Sequence, residues 1–351
     1  MYLKKIFTLV AVVGLLSSCS TSSSSSATPA ATRTTPKIAN VTFESRETTI
    51  PVGYDQPKPG KFKVAYLNPV GGNEFLDALG AGMKQATEKL GGSFVSLDGK
   101  GSVDTQVSQL DQLIAQKVDG IFVFALDPNA MKPELAKAKK AGIKLISIDE
   151  NFQSDAIGSY DSQVLQRRDE AAFLGAQQMA KLLPGGSSIG TIDFKIAVPS
   201  IVYSITQAKA WASKFGLKVG QNASNPSDDI AGGETAMTEL IGKMPTLAGV
   251  IAYNDPSAIG ASSAAKAQGK NALKFGGQNG GSDALEAVKA GRIAYTIQLA
   301  APSIGKFAAW GIYDLKQGKT IPKTAKGEAP TLITPDNIAS AKAWSEQLKA
   351  S

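Results

Sequence analysis

The sequence predicts an α/β protein built as two similar doubly wound parallel-sheet lobes. Three observations carry this. From Lys61 onward, short apolar runs alternate with amphipathic stretches, joined by short connections, which is the β-α-β signature of a parallel sheet. The alternation restarts near residue 187. The halves also echo each other. LIAQKVDGIFVFALDPNAM (113–131) and LIGKMPTLAGVIAYNDPSAI (240–259) each read as helix end, glycine, apolar strand, Asp-Pro and new helix.

In the first half, KVAYLN (63–68) reads as a strand. Phe75, Leu76, Leu79, Met83, Ala86 and Leu90 then share one helical face. FVSL (94–97) is a short strand, and Val107, Leu110, Leu113 and Ile114 mark a second helix. GIFVFAL (120–126) is apolar on both faces, as in a buried parallel strand. A helix over about 129–141 and the strand IKLISI (143–148) complete the half. The second half begins with SSIGTI (187–192), a helix over 201–215 and LKV (217–219). A helix over 232–243, a strand over 247–253 and a further helix come next. LKF (273–275), a helix near 282–290 and RIAYTI (292–297) close the pattern. The body, 61–351, suits two domains of ordinary size.

The N-terminus has another character. Lys4 and Lys5 precede an apolar run from Ile6 to Leu16, the layout of a secretory signal and too short for a stable membrane span. LSSC (16–19) resembles the bacterial lipobox, which implies cleavage before Cys19 and lipidation of that residue. The alternative is an ordinary signal peptide with an incidental cysteine. Residues 1–18 are thus expected to be a lipoprotein signal and 19–60 a lipid-anchored tether. Within it, SSSSSATPAATRTTP (22–36) is too polar to offset its ordering entropy.

Composition narrows the function classes. The chain has no histidine and a single cysteine, which removes Ser-His-Asp triads, Cys-His pairs and the commonest transition-metal sites. Removing 1–18 deletes two lysines and no acid, so the formal charge falls from +7 to +5. The remaining basic residues are scattered, as in KAKKAG (137–142), so no nucleic-acid partner is expected. This makes an enzyme a poor expectation without excluding carboxylate chemistry, and no cofactor or metal is expected.

In open α/β sheets, ligands bind outside the carboxyl ends of the strands. The apolar run 250–253 stops at such a point, at Asn254. Asp255 followed by Pro256 reads as an N-cap and a first helical residue. That leaves the Asn254 amide for a polyhydroxyl ligand.

In order along the chain, GGNEFLDALGAGMKQATEKLG (71–91), GIFVFALDPNAM (120–131), AGIKLISIDEN (141–151), AYNDPSAIGA (252–261), GGQNGGSDALEAVKAGRIAYTI (276–297) and LITPDNI (332–338) resemble the type I periplasmic binding proteins. The likeness is to the ribose- and galactose-binding branch that serves sugar ABC transporters. It implies a three-segment hinge joining one lobe, 61–160 plus 300–330, to another, 161–299 plus 331–351.

By this resemblance Asn73 would donate a hydrogen bond and Phe75 would stack on a sugar ring, with Leu76 where a second aromatic is usual. Asn73 reads equally well as a plain helix cap. Asp149 would accept from sugar hydroxyls. Glu150 and Gln207 stand where the family commonly has arginines, Asn279 where it has an aspartate, and Gln298 near a usual glutamine. The implied site is rich in amides and poor in arginine, with Asp149 as its main charge. Phe152, Phe194, Tyr203, Trp211 and Tyr253 read as pocket wall or as core. The implied function is a monomeric, membrane-anchored extracytoplasmic receptor that closes on a neutral sugar or polyol and delivers it to an ABC transporter permease. A sensor subunit for a sugar or nucleoside is the alternative. A glycosidase using Asp149 and Glu150 is disfavoured, because adjacent strand residues point to opposite faces.

Overall fold

The structure, a computed structural model, describes residues 61–148 and 158–349. Strands β1 (Lys63–Asn68), β2 (Ser93–Asp98), β3 (Gly120–Val123), β4 (Lys144–Ile148), β5 (Ser162–Leu165) and β11 (Thr324–Lys326) form one sheet, ordered β11-β5-β4-β3-β1-β2. All its pairings are parallel. Strands β6 (Ser188–Phe194), β7 (Lys218–Asn225), β8 (Leu247–Ala252), β9 (Lys274–Asn279), β10 (Tyr295–Gln298) and β12 (Thr331–Ile333) form the other, ordered β12-β10-β9-β8-β6-β7. There, only β12 runs antiparallel to its neighbour. The chain passes between the sheets at 165–168, 298–301 and 326–331. Because β5 belongs to the first sheet, that sheet extends past residue 160.

The alternation of side chains along the strands explains why both faces of the first sheet are apolar. Val64, Tyr66, Phe122 and Ile146 point to one face and pack with helices α1 (Glu74–Lys89) and α9 (Ala301–Lys316). Ala65, Leu67, Ile121, Val123 and Leu145 point to the other and pack with α2 (Val103–Ala115) and α3 (Lys132–Lys140). The β3 strand stops at Val123 although the apolar run continues to Leu126. The buried amide of Gln106 takes the place of a strand partner there. It donates to the Phe124 carbonyl at 2.8 Å and accepts from the Leu126 N–H at 3.0 Å.

Two long helices lack a clear periodic signal in the sequence. Helix α4 (Arg168–Leu182) buries Ala171, Ala172, Gly175, Ala176 and Met179, a face written mostly in small residues. It packs on α5 (Pro199–Lys214) and on the second sheet. Helix α9 is apolar over most of its circumference and crosses α1 closely. The crossing depends on glycine: a Cβ at Gly82 would overlap the Pro302 carbonyl, and one at Gly305 the Leu79 carbonyl. Since backbone cannot swing aside as a side chain can, Gly305→Ala should cost about 1–3 kcal/mol. Chemical denaturation would check this; an unchanged midpoint would mean the helices separate freely.

Candidate functional site

The carboxyl ends of β1, β8 and β9 and the helices that follow them frame a cleft. Each helix must satisfy the free N–H groups of its first turn. Asn73 caps α1, its Oδ1 accepting from Phe75 N–H at 3.1 Å and Leu76 N–H at 3.3 Å. Asn254 caps α7 (Asp255–Ala267), its Oδ1 accepting from Ser257 N–H at 3.0 Å. This corrects the expected roles of the neighbours. Asn254 is the cap, while Asp255 is the first helical residue, buried, with one carboxylate oxygen accepting from Gly280 N–H at 2.6 Å. A cap spends only the amide oxygen, so the nitrogens of Asn73 and Asn254 remain as donors toward the cleft.

Those nitrogens meet a residue the sequence reading missed. Asp228 lies between β7 and α6 (Ile230–Lys243) with φ of 60°, the left-handed region that aspartate tolerates. Asn73 Nδ2 donates to its Oδ2 at 2.9 Å, and Asn254 Nδ2 to its Oδ1 at 2.7 Å. The Tyr253 hydroxyl donates to the same Oδ1. Burial pushes the Asp228 carboxyl above the usual range, against these three hydrogen bonds. Burial, and then the Asp228 charge, raise the Tyr253 hydroxyl. Residues 228 and 229 form an Asp-Asp pair before a helix, and Asp229 alone caps α6 through Gly232 N–H at 2.7 Å. A second acid beside a helix that needs only one was the available signal.

The aromatic wall is mixed. Phe75 is buried, its ring 5.7 Å from that of Trp344 and 5.9 Å from the Arg168 guanidinium carbon. Phe194 stacks on Tyr253 with ring centroids 5.9 Å apart. Two cavities share Val70, Asn73, Phe75, Asp228 and Asn279. The inner one, about 50 Å³, also meets Leu76, Phe124, Arg168, Tyr253 and Asn254. The outer one, about 330 Å³, is bordered by Glu74, Asp229, Asp255, Asp283 and Trp344. Arg168, which the sequence reading did not single out, is the one arginine among the described residues bordering these two cavities.

Asn73, Phe75, Asn254 and Asn279 thus come together. Asn279 ends β9 with φ of 122°, and a Cβ on the following Gly280 would overlap Gln298. Gln207 and Gln298 do not join them. Gln207, half-buried on α5, lines neither cavity. Gln298 donates to the carbonyls of Gly280 at 2.8 Å and Lys342 at 3.0 Å, and so ties the C-terminal segment to the second sheet. Asp149 and Cys19 lie outside the described residues. Phe194 and Tyr253 line the inner cavity, whereas Trp211 packs edge-on against Phe173 at 5.0 Å.

Two doubly wound lobes meeting at a polar cleft with aromatic walls define a bilobal solute-binding protein. The chain belongs to the family described as the periplasmic binding protein domain, which matches residues 64–320. It is 25% identical over 253 residues to the ribose import binding protein of Bacillus subtilis, covering 72% of this chain and 81% of that one. To the xylitol-binding protein of Mycolicibacterium smegmatis it is 29% identical over 244 residues, covering 67% of each. In three dimensions it resembles an ABC transporter periplasmic solute-binding protein from Actinobacillus succinogenes with bound D-allose. That match has a TM-score of 0.73 at 22% identity, covering 81% of this chain and all of the other. No helix among the described residues is long and apolar enough to cross a membrane.

Burial raises the Asp255 carboxyl to about 7, opposed by the Thr296 hydroxyl and the Gly280 N–H. The folded chain therefore keeps a proton that the unfolded chain loses near pH 4. The stability from this group is full below about pH 4 and is lost as pH rises through about 7. Asp255→Asn should flatten the fall in melting temperature across that window. An unchanged slope would place its source elsewhere.

Proposed function

We propose that this protein is an extracytoplasmic receptor that closes two lobes on a neutral sugar or polyol and presents it to an ABC transporter permease. The observation that carries this is the convergence of Asn73, Asn254, Asn279 and Phe75 at strand ends drawn from both sheets. Amides both donate and accept, which matches hydroxyls, while an aromatic face suits the C–H face of a ring. Among the described residues, Arg168 is the only basic side chain bordering the two cavities, against Glu74, Asp228, Asp229, Asp255 and Asp283. That balance disfavours phosphorylated or carboxylated solutes, which call for an excess of cationic donors. The relatives named for ribose and xylitol, and the neighbour with D-allose, support the same ligand class. Asp149 is proposed as a further acceptor, and lipidation at Cys19 as the anchor. The chain acts as a monomer, without enzymatic activity.

A thermal-shift panel of pentoses, hexoses, polyols, disaccharides and nucleosides tests the reading. A ligand at ~100 times its dissociation constant adds roughly 2.7 kcal/mol, and each kcal/mol raises the midpoint by about 2–4 °C. One neutral sugar or polyol should shift the midpoint while its epimers do not. Phe75→Leu should then weaken that compound about fivefold, for roughly 1 kcal/mol of lost ring contact. A shift by acidic solutes alone would overturn the ligand class. Cys19→Ser should release the chain from the membrane fraction; retention there would remove the proposed anchor.

A further inference from the structure

Two consecutive residues at the start of α1 each hydrogen-bond to the other lobe. Asn73 reaches Asp228, as described above. Glu74 accepts at the start of α8 (Ser282–Lys289), its Oε1 and Oε2 lying 2.8 and 2.9 Å from Ser282 N, and it also accepts from the Ser282 hydroxyl. Gly281 leaves the room this needs, since a Cβ there would overlap the Glu74 carboxylate.

The Asp228 contact differs from a simple crossing. Its carboxylate gathers Asn73 from one lobe and Asn254 and Tyr253 from the other. Both asparagines already commit their oxygens to helix caps. Each amide nitrogen carries two N–H groups, of which Asp228 holds one. With oxygen and one N–H fixed, the rotamer of each asparagine is set; Asn254 also hydrogen-bonds the Tyr253 hydroxyl, whereas half-buried Asn73 keeps a second N–H for another acceptor. Asp228 is not required for capping, since Asp229 caps α6.

We infer that Asp228 is a positioning residue that joins the lobes: its carboxylate holds Asn73 to Asn254 and Tyr253 across the cleft, and so aims the remaining N–H of Asn73 at the ligand. This rests on the proposed reading of the cleft as a ligand site. Asn73 is the partner lost on opening, whereas Tyr253 and Asn254 stay with Asp228 on their own lobe. The protein thereby supplies part of the closing interaction before any ligand arrives. Apparent affinity scales with the fraction of chain already competent, so removing Asp228 should weaken all ligands by a common factor.

The test uses the full chain carrying Cys19→Ser, with Gln112→Cys on α2 and Lys266→Cys on α7, both exposed positions, as sites for spin labels. Interlobe distances are read without ligand, and dissociation constants are measured for D-ribose, xylitol, D-allose and myo-inositol. Asp228→Ala should shift the ligand-free distances toward the open form. It should weaken every compound that binds by the same factor, about tenfold, without changing their order. Asp228→Asn keeps the shape but turns a donor toward Asn73 or Asn254, and should act in the same direction. Unchanged distances in Asp228→Ala, or a reordering of ligands, would overturn the positioning role. If no compound binds the parent chain yet Asp228→Ala still opens it, the positioning role stands and the ligand reading falls.

Discussion

The site depends on the need to cap helices that begin where parallel strands end. A strand that enters a helix within a few residues brings several free N–H groups to one place. Asn73 and Asn254 answer that need with their carbonyl oxygens and turn their amide nitrogens to Asp228. One residue type at that point serves the fold and, in the proposed reading, the ligand as well. An aspartate would cap as well but would present no donor, and a serine would not reach as far.

The rest of the molecule holds those ends in register. Buried β3 and β4 fix the first sheet between two helical layers. The glycine-mediated approach of α1 and α9 fixes the direction in which α1 starts, and with it Asn73, Glu74 and Phe75. Behind Phe75, Trp344 comes from the C-terminal segment, its indole N–H donating to the Leu299 carbonyl at 2.9 Å. The aromatic wall of the cleft thus rests on a residue more than 250 positions away along the chain.

Most of the architecture is legible in the sequence because parallel strands buried on both faces read as continuous apolar runs. GIFVFAL and VIAY are clear cases. Helices α4 and α9 were not, for opposite reasons: α4 buries small residues that leave little periodicity, and α9 is apolar almost all round. The site divides in the same way. Asn73, Phe75, Asn254 and Asn279 stand at strand ends or helix starts, where local pattern places them. Asp228 and Arg168 are brought in by the packing of loops and helices from the second lobe, which no local window contains. Gln298 has the right neighbourhood but turns to the C-terminal segment. The order of Asn254 and Asp255 also reversed, because Asp255 found a deeper partner in Gly280 N–H.

The central claim is that one ligand touches both lobes at these strand ends. Hydrogen exchange measured with and without the neutral sugar or polyol that binds would address it most directly. The account predicts joint protection of the start of α1, near residues 73–76, and of the β8–α7 and β9–α8 junctions, near 253–258 and 279–283. Protection confined to one lobe, or centred away from these junctions, would contradict it.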